Sequence, residues 1–270
     1  MPTSGSSPKA FSSLGCPDFT LEETLALAAR RGIAAVELRT LGGTTDLPGY
    51  LARTHGSPAA LAGRLRSRPG RILALDTSLG LAAPSAADRE AFLAFVPWAE
   101  ALGVPWLRVF DAGRPPPETW FADAVATMQW WRDERRRHGW RTDVMIETHD
   151  ALLTADAVRR FCAAVPGAAI LWDAHNTWRE GGAGPVAMWR AIRPHVVHLH
   201  VKDSVSRPSG RHPYTFVLPG EGEFPMASLL EALRAGNYAG AISLEWERKW
   251  HPELPPLEDA LRSAEERNWW

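Results

Sequence analysis

Val196-Val197-His198-Leu199-His200-Val201-Lys202-Asp203 is the stretch whose reading decides the fold. Val197, Leu199 and Val201 share one parity and are apolar. His198, His200 and Lys202 share the other and are all ionisable. Side chains alternate across a strand, so this segment reads as a buried β-strand with two imidazoles and an ammonium in a row on one face. An ordinary core has no use for that face, because each group needs a partner once water is removed. The pattern therefore predicts a site, and the partners have to come from other strands.

Three further runs supply them. Asp143-Val144-Met145-Ile146-Glu147-Thr148-His149 ends in Glu and His, Ala169-Ile170-Leu171-Trp172-Asp173-Ala174-His175 in Asp and His, and Ala241-Ile242-Ser243-Leu244-Glu245 in Glu. Each is a short apolar run with its acid at the C-terminal end. Upstream, Ile33–Leu38 carries Glu37 and is followed by Arg39, Ile72–Leu75 ends at Asp76, and Trp106–Phe110 contains Arg108 and precedes Asp111.

Between these strands lie helix signals. Thr20-Leu21-Glu22-Glu23 is a capping box opening a helix that stops near Gly32. Ser57-Pro58 starts another, Ser85–Asp88 caps a longer one to about Leu102, and a helix is predicted from about Glu118 to His138. Thr154–Val165, Pro185–Ile192, Met226–Ala235 and Leu257 to about Arg267 complete the set. With a first strand at Phe11–Leu14, the order is strand then helix, eight times over. That predicts an α/β chain folded as a single (β/α)8 TIM barrel over residues 11–270, after a disordered Ser/Pro-rich lead-in over residues 1–10. A doubly wound open sheet is the runner-up, weakened because no Gly-x-Gly-x-x-Gly follows the first strand. In a barrel the site lies at the strand C-termini, where Glu37, Asp76, Glu147, Asp173, His200 and Glu245 fall. The longest irregular segment, Ser204–Phe224, is read as a lid over that end, and Gly220 and Gly222 within it as backbone donors to an anion.

Composition narrows the function. A net charge of −1 gives no electrostatic drive toward nucleic acid or anionic membrane. The Arg132–Arg137 run reads as a solvated last helical turn, not a nucleic-acid patch. No apolar run is long enough to span a bilayer, and the N-terminus lacks a signal-peptide core. Two cysteines, Cys16 and Cys162, make no disulfide framework and point to a reducing, cytoplasmic setting. The 13 tryptophans read mainly as core and helix–barrel packing. The tail Trp269-Trp270 is either a contact surface for a homo-oligomer or a frayed end.

Two Glu carboxylates, one Asp carboxylate and one imidazole form a hard O/N set suited to one divalent ion, Mn²⁺, Mg²⁺, Co²⁺ or Zn²⁺, with open positions for water or substrate. The alternative is a salt-bridge network closed by Lys202, Arg108 and Arg39.

Together, Val36-Glu37-Leu38-Arg39, Ile146-Glu147-Thr148-His149, Leu171-Trp172-Asp173-Ala174-His175, His198-Leu199-His200-Val201-Lys202-Asp203, Pro219-Gly220-Glu221-Gly222-Glu223-Phe224 and Ser243-Leu244-Glu245-Trp246-Glu247 resemble the xylose isomerase-like TIM barrels, the sugar phosphate isomerase/epimerase superfamily. The resemblance runs from Phe11 to about Glu266. It implies a metal held by Glu147, Asp173, His200 and Glu245, with Glu147 and Glu245 also the acid/base pair on opposite faces of a small polyhydroxylated carbonyl substrate. The reaction implied is proton transfer through an enediolate. His175, Lys202, His149, Arg108 and Glu37 become candidate substrate-binding residues, with support of the ligands as their alternative role.

Two positions depart from the ketose 3-epimerase pattern. The place three residues after the metal Asp, usually a substrate-binding His, is Asn176. The place of the substrate Arg, six past the metal His, is Ser206, with Arg207 next to it. Both weigh against epimerisation of a free ketose. A dehydratase of the inosose or dehydroshikimate type, using the same metal and base, is the alternative. Less favoured are an endonuclease IV-like phosphodiesterase, which needs histidines on strands three and four where this chain has none (His55 is the nearest candidate), and a non-catalytic sugar-binding barrel.

Overall fold

The apolar runs become strands because both of their faces are covered, by helices outside and by neighbouring strands' side chains inside. The computed structural model describes residues 7–66, 70–113 and 115–270. The strands are β1 Lys9–Ser12, β2 Ala35–Leu38, β3 Arg71–Gly80, β4 Trp106–Phe110, β5 Asp143–Glu147, β6 Ala169–Asp173 and β7 Val196–Val201. A small hairpin follows, β8 Asp203–Val205 with β9 Thr215–Val217, and then β10 Ala241–Leu244. The eight long-range strands pair in parallel and close in the order β1-β10-β7-β6-β5-β4-β3-β2, a single (β/α)8 barrel. Register levels the site: Asp173 and Ser243 are both Cα partners of His200, and Phe110 pairs with Glu147.

The barrel floor is built from small residues on one side and large ones on the other. Ala10, Ala35 and Ala241 sit on three adjacent strands with Leu73. Ala74, Met145 and Leu171 pack with Trp106, Ala169 and Val197. This complementarity fills the interior, so the barrel is a packed core and not a pore. Val197 belongs to this inner group, unlike Leu199 and Val201, which face the helices. The strict alternation expected for β7 breaks because its pairing with β6 shifts register between Ile170 and Leu171.

Several expectations are adjusted. Residues 1–6 of the lead-in lie outside the described residues, whereas Lys9 and Ala10 of that segment already belong to β1. A helix at Leu47–His55 escaped the sequence reading, although Asp46 caps it and Pro48 sits in its first turn. The single helix expected to Leu102 is two, Ala86–Leu93 and Val96–Leu102. Pro97 starts the second and cannot continue the first. The Ser204–Phe224 segment holds the β8–β9 hairpin and is not irregular throughout. Trp269 and Trp270 are 8% and 9% exposed, and Lys9 Nζ lies 5.5 Å from the Trp270 ring. The tail is packed core, which removes the reason to place a subunit contact there. Among the described residues no helix is long and apolar enough to cross a membrane.

Candidate metal centre and active site

Glu147 ends β5, Asp173 ends β6, His200 lies near the end of β7 and Glu245 follows β10. One ligand atom from each lies within 4.8 Å of the others, and all four side chains are buried. Asp173 is fixed twice: its Oδ1 accepts from Asn176 N at 2.8 Å, capping the helix Ala174–Arg179, and its Oδ2 faces inward 2.8 Å from Lys202 Nζ.

His200 stands at the centre. Its Nε2 lies 2.8 Å from Glu37 Oε1, and its Nδ1 lies 3.5 Å from Glu147 Oε1 and 3.4 Å from Glu245 Oε1. With the Nε2 proton given to Glu37, the Nδ1 lone pair is aimed between two carboxylates. Two donors at about 2.1 Å from one ion stand roughly 3.0–3.4 Å apart. The separations around Nδ1 are of that size. The donor set therefore fits a divalent ion.

Glu37 itself lies below the cavity. It takes His198 Nε2 at 2.8 Å on its other oxygen and accepts from Ser243 Oγ at 2.9 Å. The trio Glu37, His198 and His200 is also close enough to suggest ligands, but its 2.8 Å ion-pair contacts are shorter than donors around one ion keep. Glu37, a candidate for substrate binding, is instead placed to orient His200.

Charge is concentrated here. Lys202 Nζ reaches Asp173, Glu245 Oε2 at 2.5 Å and Glu247 Oε1 at 2.6 Å. Burial opposes its charge, but Asp173 and Glu245 outweigh that and hold its pKa well above the usual range. Burial likewise opposes ionisation of Glu245, and Lys202 and His200 overcome it, so its pKa falls well below normal. His200 is pushed up against burial by Glu37 and Glu245, so a proton and a cation compete for Nδ1. Burial, reinforced by Glu37, raises Asp76 to about 8. Among the described residues, both Asp76 oxygens lack a hydrogen-bond partner.

The cavity above this cluster is about 260 Å³ and is walled by Arg39, Arg108, Phe110, His149, Lys202 and Trp250, with Glu147 and Glu245 at its base. A neighbouring hollow of about 320 Å³ shares His149 and Glu247 and is lined by His212 and Tyr214 from the segment between β8 and β9. A larger hollow of about 380 Å³ beside Leu65, Ile72 and Leu102 contains none of these groups. Of the candidate substrate-binding residues, Arg108, His149 and Lys202 line the cavity. His175 does not: it is fully buried, its Nε2 lies 2.7 Å from Ser204 Oγ, and its ring packs on Tyr214 and Phe216. It anchors the hairpin.

Two aspartates that the sequence reading gave no role clamp the loops. Asp111 accepts from the backbone N–H groups of His149, Asp150, Ala151 and Leu152, fixing the loop that carries His149. Asp203 accepts from Ser204, Gly220, Gly222 and Phe224. A Cβ on Gly222 would stand 2.1 Å from Asp203 Oδ1, so the close approach requires glycine. The expectation that Gly220 and Gly222 serve an outside anion is corrected, because the chain's own carboxylate takes those amides. Glu247 was also overlooked; its separation by two from Glu245 was the available signal. His55 joins neither ligand cluster among the described residues.

Compared with known proteins, the sequence from residue 25 to 269 matches the model of the xylose isomerase-like TIM barrel family. The chain belongs to that family. Solved structures similar to it include an IolI protein with a bound zinc atom, with a TM-score of 0.76 at 19% identity over 97% of this chain and 96% of that one. The probable 3-DHS dehydratase AsbF of Bacillus anthracis gives a TM-score of 0.72 at 17% identity over 96% and 99%. A xylose isomerase domain protein of Planctomyces limnophilus gives 0.72 at 18% over 97% and 96%. At such identities the likeness establishes the fold. No curated protein matches the sequence.

Proposed function

We propose that the chain is a divalent-metal-dependent isomerase or epimerase that moves a proton beside the carbonyl of a small polyhydroxylated substrate. The observation that carries this is the convergence of Glu147, Asp173, His200 and Glu245, two of which, Glu147 and Glu245, line a cavity of small-molecule size. These four would hold the ion, and a bound divalent cation supplies Lewis-acid polarisation of a carbonyl oxygen. The proton transfers belong to the chain. Glu147 is the better base: the two glutamates share His200, but Lys202 at 2.5 Å drains further charge from Glu245, whereas the cation beside Glu147, Arg108 Nε, stands 3.3 Å from its Oε2. In an isomerisation Glu147 returns the proton it took; in an epimerisation it keeps that proton, and the one delivered from the other side is drawn from the Lys202 ammonium through the Glu245 carboxylate 2.5 Å away. Buried Cys16 and Cys162 thiols, pushed up by burial to about 12 and about 11, are unreactive and fit a cytoplasmic setting.

One observation favours a second reading. His149 lines the same cavity, with Nδ1 3.0 Å from Asp150 Oδ1. Burial opposes its charge, but Asp150 and Glu147 overcome that and raise it to about 9. A protonated imidazole there can protonate a departing β-hydroxyl, which makes dehydration available to the same base. The experiment is incubation in D₂O with the purified, metal-supplemented protein and a panel of ketoses, inososes and hydroxy acids. Deuterium at the carbon next to the carbonyl supports proton transfer, and loss of water from the product selects the dehydratase. No exchange across the panel with metal bound counts against both.

A further inference from the structure

Two guanidinium groups converge on one wall of the cavity. Arg108 points in from β4, is 2% exposed and lies over the Phe110 ring at 3.9 Å. Arg39, just past β2, is 6% exposed, and its guanidinium is 5.9 Å from the same ring. Neither is fully matched by opposite charge. The hydrogen-bond partners of Arg39 are neutral, the Asp76 carbonyl at 3.2 Å and Ser78 Oγ at 3.0 Å, and it has no carboxylate ion pair among the described residues. Arg108 has one carboxylate at 3.3 Å through Nε, yet its buried Nη1 finds no hydrogen-bond acceptor among the described residues. Two buried like charges beside one aromatic ring are costly unless an anion joins them. Paired guanidinium forks also match the geometry of acid oxygens better than that of hydroxyls.

We propose that this pair is a head-group subsite: the substrate carries an acidic group, a carboxylate or a phosphate, held by Arg39 and Arg108 over Phe110. The inference rests on the reading of the cavity as the place of proton transfer and names the class of substrate it takes. Because Arg108 also touches Glu147, the acidic group and the reacting carbon are only a few bonds apart. The substrate is thus a short hydroxy-acid or sugar phosphate, and the cavity volume of about 260 Å³ suits that size.

Isothermal titration calorimetry of the full chain with D-gluconate, sorbitol and sorbitol 6-phosphate tests this, since the three share a hydroxylated chain and differ in head group. One of the acids should bind about 10–100-fold tighter than sorbitol, and which one it is separates carboxylate from phosphate. Arg39→Gln should bring that acid down to the level of sorbitol. Should Arg39→Gln fail to fold by circular dichroism, Arg39→Lys, which keeps charge but loses the fork, should still narrow the gap. The preference should persist after EDTA treatment, because it does not depend on an ion. An acid that binds no better than sorbitol overturns the proposal, as does a preference that Arg39 variants leave intact or that EDTA abolishes. A preference that survives EDTA in a protein showing no proton exchange sinks the enzymatic reading and leaves the subsite standing.

Discussion

Glu37 Oε1 lies 2.8 Å from His200 Nε2, and the other oxygen of the same carboxylate lies 2.8 Å from His198 Nε2. One buried acid thereby sets two rings, and the tautomer of His200 with them. Glu37→Gln breaks the charge assistance while keeping the shape. Divalent-ion affinity, read by competition with a chromogenic chelator, is expected to fall about 10–100-fold, the usual effect of losing such a partner. Unchanged affinity in a folded variant would remove the orienting role.

Glu147→Gln separates holding an ion from moving a proton. The amide oxygen can still coordinate, so metal content should be partly retained. An amide cannot accept the proton, so deuterium exchange should drop about 10²–10⁴-fold. Wild-type exchange with metal bound would remove Glu147 as the base.

Asp76 gives a pH signature. Its carboxyl is raised by burial and by Glu37 from an ordinary value near 3.8 to about 8. Between those values the folded chain holds a proton that the unfolded chain has released. Stability therefore falls as pH rises from about 4 to about 8, and the loss is complete above the folded value. Asp76→Asn cannot ionise. The stability of the wild type relative to this variant, from urea unfolding at pH 5 to 9, should decline through that window and then level off. Parallel curves would show that Asp76 does not titrate there.

Asp203→Ala should loosen the segment over the site. It deprives four backbone N–H groups of a charged acceptor, each bond being worth about 1.5–3 kcal/mol. Limited proteolysis should cut between residues 204 and 224 faster than in the wild type, with the barrel fragments otherwise intact. Equal rates would mean that Arg179, which also ties this segment through Ser204 and Glu223, suffices alone.

Periodicity made the barrel and most of the candidate metal cluster legible in the sequence. Acids at the ends of β5, β6 and β10 and the polar face of β7 announced both, because parity and strand ends are local properties. The depth of a residue within the barrel is not local. Glu37 and Glu147 look alike in sequence, yet one supports a histidine from below and the other faces the cavity. Apart from the bond to the adjacent Ser204, the clamps of Asp111 and Asp203 join groups 17 to 41 residues apart, beyond the reach of any pattern in a short window. His175 misled for a related reason: its helix begins directly after Asp173 and turns the ring toward the hairpin, away from the ligand cluster. The register slip between β6 and β7 likewise leaves no mark on composition.

The seam where the barrel closes joins Lys9 to Ile242 through β1 and β10, with nearly the whole chain looped out between them. Such a pairing cannot form on a ribosome until the eighth barrel strand has emerged, and distant pairings of this kind are slow to find. Glu245 arrives just behind that strand. A growing chain thus exposes Glu147, Asp173 and His200 with their fourth companion still unmade, and shutting the barrel and completing the ligand set become a single late event in the life of the molecule.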